Sequence, residues 1–249
     1  MCRTCATNET GLTRRGLLRN TAVLGVPAIA GLLAPATRAD PTDAIRAAGR
    51  PPIHARSAWA GRAHPVQGAL AYEAAGDVRC LLVHHSETTN AYQQSAVPQI
   101  IGSFYRTHTD KGWPDIAYNF LVDRYGGIWE GRANSLRSAT IPSATGGSQG
   151  FSQIVCWIGN HRRTQPTTAA RRSMVSLTSW LCDRYDIDAA PGATVSFRSR
   201  GSTRWRRGAL VTTPAIEGHR FMSLTDCPGD AAYPVVRGLP MAIDAHRRR

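Results

Sequence analysis

The residues best suited to chemistry in this chain concentrate in two short stretches. "LLVHH" (81–85) ends an apolar run on two adjacent histidines, His84 and His85, and "EGHRFMSLTDCPGD" (217–230) sets His219 and Cys227 eight positions apart, just before Pro228 and Gly229. Imidazole nitrogen and thiolate sulfur are donors that zinc favours, and a catalytic zinc site takes three protein ligands and keeps the fourth position open. His84, His219 and Cys227 would fill such a set. Successive strand residues point to opposite faces, so only one of His84 and His85 can face a given site. The chain holds eight histidines, and a strand-end histidine also serves as a hydrogen-bonded structural residue, so residue types alone leave both readings open.

The two stretches are far apart in the chain, and a folded frame must bring them together. "CLLVHH" (80–85) is a continuous apolar run of strand length, halted by the polar "SETTN", as expected of a buried strand. "VPQIIGSFYRTHTD" (97–110) has apolar residues near helical spacing with Pro98 in the first turn, where proline is tolerated. "AYNFLVDRYGGIWEGR" (117–132) reads as strand, Gly126–Gly127 turn and strand, a hairpin. "SQIVCWIGN" (152–160) predicts a second buried strand, and Met174, Val175, Leu177, Leu181 and Tyr185 mark one face of a helix. Residues 40–79 read as irregular apart from "IHARSAWAG"; "GATVSFRSRGSTRWRRGALVTT" reads as a basic, turn-rich excursion, and 217–230 as a loop. Strands alternating with helices imply an α/β fold, one domain with a central mixed sheet flanked by helices. Neither an internal repeat nor a long low-complexity segment is evident.

Charge and the first forty residues narrow the setting. The 249-residue chain carries +13, almost wholly from arginine, since Lys111 is its only lysine. Such a chain favours anionic partners: nucleic acid, acidic lipid or anionic wall polymers. "TRRGLLRN" (13–20) precedes the small-residue apolar run "TAVLGVPAIAGLLAPA" (21–36), which is short for a bilayer span and broken by Pro27. Residues 1–39 therefore read as a removable export signal of the twin-arginine type, with Arg14 and Arg15 as the pair, rather than as a retained anchor. Its removal leaves 25 basic and 16 acidic residues, a charge of +9. Export argues against a nucleic-acid partner, and the cluster "RSRGSTRWRRG" (198–208) is either a surface for phosphate-rich wall polymers or a solvated turn. Residues 40–51 form a leader segment and 52–249 the domain. No stable membrane insertion is expected after signal removal, and with no heptad or obvious dimer face a monomer is expected.

Four cysteines remain beyond the signal. An exported chain with four would ordinarily form two disulfides. Cys80, Cys156 and Cys182 sit in apolar runs where a thiol behaves as a small hydrophobe, and whether they bridge is open. Cys227 stands apart in a polar turn.

Three blocks, "LLVHHSETTN", "GWPDIAYNFLVDRYGGIWEGR" and "EGHRFMSLTDCPGD", resemble in order the hallmark blocks of the type 2 N-acetylmuramoyl-L-alanine amidases, in the branch of the peptidoglycan recognition proteins and their secreted actinobacterial relatives. The resemblance covers about residues 52–240. It implies zinc held by His84, His219 and Cys227, a catalytic Tyr118 beside the metal-bound water or the substrate carbonyl, and a catalytic Thr225 next to the metal. It further implies hydrolysis of the amide between N-acetylmuramic acid and L-alanine of peptidoglycan by a secreted or wall-associated enzyme. Family members that lose a ligand, commonly the cysteine, bind peptidoglycan without cutting it, so Cys227 favours the enzyme over a recognition module. Two departures stand out: Phe221 where the family usually has aspartate after Gly-His-Arg, and Thr145 where it often has histidine. His85 and Glu130 read as supporting residues, and no side chain of the three blocks presents itself as the general base.

Overall fold

The computed structural model describes residues 49–147 and 151–248, so the export-signal reading of residues 1–39 lies outside the described residues. The frame is a five-stranded sheet ordered β3-β2-β4-β1-β7, with a separate two-stranded sheet of β5 and β6. The strands are β1 (Cys80–His85), β2 (Phe120–Val122), β3 (Ile128–Glu130), β4 (Ser152–Trp157), β5 (Thr194–Arg198), β6 (Leu210–Pro214) and β7 (Ile216–Gly218). β4 and β7 flank β1 in parallel, β2 joins β4 in parallel, and only β2–β3 is antiparallel within the large sheet. The fold is thus the α/β domain with a mixed sheet that the alternation predicts.

Every residue of β1 and of β4 is buried, because helices cover both faces of a parallel centre and each strand must be apolar on both sides. One face carries Leu81, Val83, Phe120, Val122, Val155 and Trp157. Against it lies α3 (Thr168–Tyr185), whose buried side includes Met174, Leu177, Leu181 and Tyr185, with Leu239 and Ile243 of α6 (Leu239–Arg247) in the same cluster. Thr167 caps α3 by accepting from Ala170 N at 3.1 Å, filling one of the amide donors that a helix start leaves unpaired. The other face carries Cys80, Leu82, Leu121, Ile154 and Cys156 beneath α2 (Val97–Thr109), with α1 (Ser57–Ala60) beside it. No described helix is long and apolar enough to cross a membrane.

Three expectations need correction. Residues 194–214 are not merely a turn-rich excursion: β5 and β6 form an antiparallel pair in which Phe197, Val211 and Thr213 turn inward. The stretch 217–230 is not all loop, since Ile216–Gly218 pairs with β1 and α4 (His219–Met222) follows directly. Cys227 is fully buried rather than exposed in a polar turn. The sequence reading also passed over α5 (Tyr233–Arg237) and α6 near the C-terminus.

Candidate metal centre

The centre forms at the C-terminal ends of the parallel strands, where open α/β sheets hold their ligands. β1 and β7 are in register at Val83 and Gly218, so the next residues, His84 and His219, stand side by side. Their rings lie stacked with centroids 4.2 Å apart and planes 21° from parallel. His84 points to the face of Leu82 by strand alternation. Its neighbour His85 points the other way and accepts from His161 N at Nδ1, 3.0 Å.

Cys227 arrives from the loop beyond α4. The loop is anchored by Arg220 N donating to the Cys227 carbonyl at 2.9 Å and by the Arg220 guanidinium on the Asp226 carbonyl. The backbone N–H of His85 donates to Cys227 Sγ at 3.4 Å, which fixes the sulfur beside the end of β1. Gly229 has φ +95°, and a Cβ there would meet the His161 carbonyl carbon at 2.3 Å. Only glycine allows the loop to press this closely on the chain after β4.

The result is that donor atoms of His84, His219 and Cys227 all lie within 4.8 Å of one another, with all three residues buried. Cys80, Cys156, Cys182 and Cys227 form no disulfide among the described residues, so the Cys227 sulfur is not bridged. These residues fit zinc. Two imidazoles and one sulfur are its ordinary donors, and His219 Nδ1 is buried with no hydrogen-bond partner among the described residues. Leaving such a nitrogen unsatisfied costs about 1–3 kcal/mol, a cost that coordination removes.

Tyr118 borders the cluster, its ring 5.6 Å from that of His84 and edge-on to His108 at 5.3 Å. Burial pushes the Cys156 thiol well up, and a side-chain hydrogen bond with Tyr118 partly opposes that. Cys156 is the register partner of His84, so the phenol that reaches it also stands beside the histidine. His108 Nδ1 accepts from Ala117 N at 3.0 Å. Burial, aided by the charges of Lys111 and Arg132, pushes His108 down to about 3, so it is neutral near pH 7.

Thr225 takes a capping position: its hydroxyl accepts from Cys227 N at 3.2 Å. Together with Arg204, Phe221 and Leu224 it lines an open recess of ≈ 650 Å³ that adjoins the cysteine loop. Glu130 is structural, accepting from Arg56 N and Leu136 N. Trp129 is core, stacked on His54 with centroids 4.1 Å apart and donating to Asp123 Oδ2 at 2.8 Å. Thr145 is fully buried.

Phe221, the residue that departs from the family pattern, meets the basic segment. Arg204 sits over the Phe221 ring at 5.5 Å. Trp205 Nε1 donates to the Phe221 carbonyl at 2.9 Å, Arg204 Nη1 to the Arg220 carbonyl at 2.9 Å, and Ser202 Oγ to the Met222 carbonyl at 2.7 Å. The tip of the β5–β6 hairpin is therefore a strap over α4, the helix that begins with His219. The sequence reading missed this, and it missed His161, whose backbone holds both His85 and, through Ala231 N, the far side of the cysteine loop. The signal for His161 was the polar "GNH" directly after a buried strand.

A mixed α/β sheet with a buried two-histidine, one-cysteine cluster at its strand ends defines a class of protein with a candidate nitrogen–sulfur metal site. The family profile Amidase_2, N-acetylmuramoyl-L-alanine amidase, matches residues 74–230. The chain belongs to this family. It is 30% identical over 200 residues to the N-acetylmuramoyl-L-alanine amidase of Homo sapiens, a match covering 77% of this chain and 29% of that protein. It is 26% identical over 186 residues to peptidoglycan-recognition protein SC2 of Drosophila simulans, covering 74% and 84%. The chain thus spans under a third of the length of the human relative. Among solved structures, Drosophila peptidoglycan recognition protein SD is similar with a TM-score of 0.56 at 19% identity, covering 75% of this chain and 93% of that one. The endolysin amidase LysCS of Clostridium intestinale gives 0.51 at 17% identity, covering 78% and 97%. At these identities the structural likeness speaks for the fold.

Proposed function

We propose that the chain is a zinc-dependent N-acetylmuramoyl-L-alanine amidase, exported through residues 1–39, that cuts the amide between N-acetylmuramic acid and L-alanine in peptidoglycan at the cell wall. The observation that carries this reading is the His84–His219–Cys227 cluster with its unbridged sulfur. Family membership supports peptidoglycan amidase or recognition chemistry in general, and the intact cysteine favours hydrolysis over binding alone.

When bound, zinc supplies Lewis-acid polarisation of the scissile carbonyl and activation of water near neutral pH. His84 and His219 would hold it through ring nitrogens, and Cys227 through the sulfur that the His85 amide positions. The Tyr118 phenol, beside His84 and edge-on to His108, exchanges its contact with Cys156 for donation to the oxygen that gains charge as the amide carbonyl becomes tetrahedral. Thr225 holds the Cys227 amide and so the pose of the sulfur. The recess lined by Arg204, Phe221 and Leu224 receives part of the muropeptide, and the mature positive charge favours approach to an anionic wall.

The test measures bound zinc and stem peptide released from purified walls, in the wild type and in Cys227→Ser. One equivalent of zinc and peptide release that collapses in the variant are expected. A wild-type protein that binds walls, holds no zinc and releases nothing would leave a recognition module instead.

A further inference from the structure

We propose that the recess between α3 and the 134–139 loop is a second ligand site, built for a phosphate group, on the opposite side of the sheet from the histidine–cysteine cluster. The recess measures ≈ 560 Å³ and is lined by Arg50, Glu73, Leu136, Arg137, Arg184 and Tyr185, among others, which is within the usual size of small-ligand pockets. It belongs to the face of α3: Tyr185 and Trp180 cluster with Val83 and Val155, whereas the metal centre shares the face of Leu82. The inference does not depend on what that centre does.

Charge and orientation both point to an oxyanion. Three guanidiniums face one carboxylate, and that carboxylate, Glu73, is already paired with Arg200 at 3.4 Å. Arg184 is held in place: Nη1 donates to the carbonyls of Ser135 and Leu136, each at 3.0 Å, and its guanidinium lies over the rings of Trp180 at 5.1 Å and Tyr185 at 5.2 Å. Its planar fork retains further N–H donors in a fixed plane. Arg50 and Arg137 are exposed and line the same recess, so it offers donors at its solvent side as well as from the fixed Arg184. That suits a tetrahedral phosphate better than a planar carboxylate.

The second observation is Tyr185 itself. It is only 4% exposed, and its hydroxyl has no hydrogen-bond partner among the described residues. A buried hydroxyl without a partner is costly; Tyr185 lines the recess, and a ligand oxygen that reached its hydroxyl would satisfy it. Burial raises its pKa, an effect only partly opposed by Arg184, so the group is a donor at neutral pH. The recess is larger than a bare phosphate, which leaves room for a polyol or sugar carrier. A phosphodiester polymer of the wall and free phosphate share the recognised chemistry.

The test titrates the full chain, at constant ionic strength, with inorganic phosphate and with a glycerol-phosphate oligomer, by calorimetry. Tyr185→Phe should weaken oligomer binding about 5–10-fold and Arg50→Ala/Arg137→Ala at least about tenfold. Arg206→Ala/Arg207→Ala on the hairpin tip should change it less than about twofold, and amide cleavage of a small soluble muropeptide should be unchanged in all three variants. Oligomer binding tighter than phosphate supports a polymer ligand at this site; equal binding supports the free anion there. Undiminished binding in both Tyr185→Phe and the double arginine variant overturns the site. So does a loss matched by the hairpin-tip variant, which would mean diffuse charge attraction.

Discussion

The rings of His84 and His219 lie face to face, 4.2 Å between centroids, because β1 and β7 are parallel neighbours in register up to Val83 and Gly218. Two residues 135 positions apart are thus made adjacent by main-chain pairing alone, before any metal is considered. A metal ion would take both rings in their neutral form.

Metal removal should therefore show in stability as well as activity. Extensive chelation is expected to abolish peptide release and lower the melting temperature, and added zinc to restore both, since a ligand bound only by the native state stabilises it by mass action. His219→Ala should lower zinc affinity at least about 100-fold and remove the zinc-dependent part of the melting shift. Equal zinc-induced shifts in wild type and variant would argue against His219 as a ligand.

Tyr118→Phe keeps the ring against His84 and His108 and removes only the hydroxyl. If the phenol donates to the developing oxyanion, kcat should fall about 100-fold with KM nearly unchanged, the mark of a transition-state contact. A variant with wild-type kcat would reduce Tyr118 to a packed aromatic. Melting curves of the two proteins should agree closely, which separates chemistry from folding.

Much of this frame is legible in the sequence because local pattern and tertiary need agree. "CLLVHH" and "SQIVCW" are continuous apolar runs because both faces are covered, and α3 shows its buried side through Met174, Leu177 and Leu181. The hairpin β5–β6 hides itself: Phe197, Val211 and Thr213 alternate inward, but arginines, serines and a long connection dilute the signal. β7 is three residues long and is a strand only because β1 offers it a partner. The burial of Cys227 is likewise tertiary, since the covering comes from His161 and the end of β1. The resemblance singled out the three candidate ligands; of the parts that hold them, the His161 segment shows only the polar "GNH" after a strand, and the hairpin strap has no local signature.

Asp115, within the "GWPDIAYNF" block, should prove a structural keystone. Fully buried, it accepts from Arg56 Nε at 3.2 Å and Nη2 at 2.8 Å, and from the amides of Ile116 and Ala133, each at 2.8 Å. Asp115→Ala strands the half of the pair contributed by Arg56 and two amides, and about 3–5 kcal/mol of stability should be lost. Chemical denaturation reads this directly. A loss under about 1 kcal/mol would show that water replaces the carboxylate without cost.

Acid sensitivity should include a contribution from His108. Its folded value is about 3 against an ordinary 6.5, mainly through burial, so between those values the unfolded chain binds a proton that the folded chain does not. Its stabilising contribution is complete above pH 6.5 and falls toward pH 3, by at most about 1.4 kcal/mol per pH unit. His108→Gln should flatten the drop in denaturation midpoint between pH 7 and pH 5 relative to wild type. Parallel pH profiles in the two proteins would remove His108 from the account. His161, also lowered chiefly by burial, acts in the same direction and is unaffected by that substitution.

The strap over α4 gives a last expectation. Trp205 donates to the Phe221 carbonyl and lies 6.3 Å from the Phe221 ring, while Arg204 reaches the Arg220 carbonyl. These contacts fall within the short helix that begins with His219 and touch none of the ligands themselves. Trp205→Ala frees α4 to shift, so zinc affinity should fall about 10-fold, the scale seen when groups that support a ligand are lost. Trp205→Phe, which keeps an aromatic but lacks the N–H, should fall between the two. A competition titration with a zinc-binding dye measures this independently of catalysis. Equal affinity in all three proteins would mean that the pairing of β7 with β1 alone holds His219, and that the strap serves only the rim of the recess.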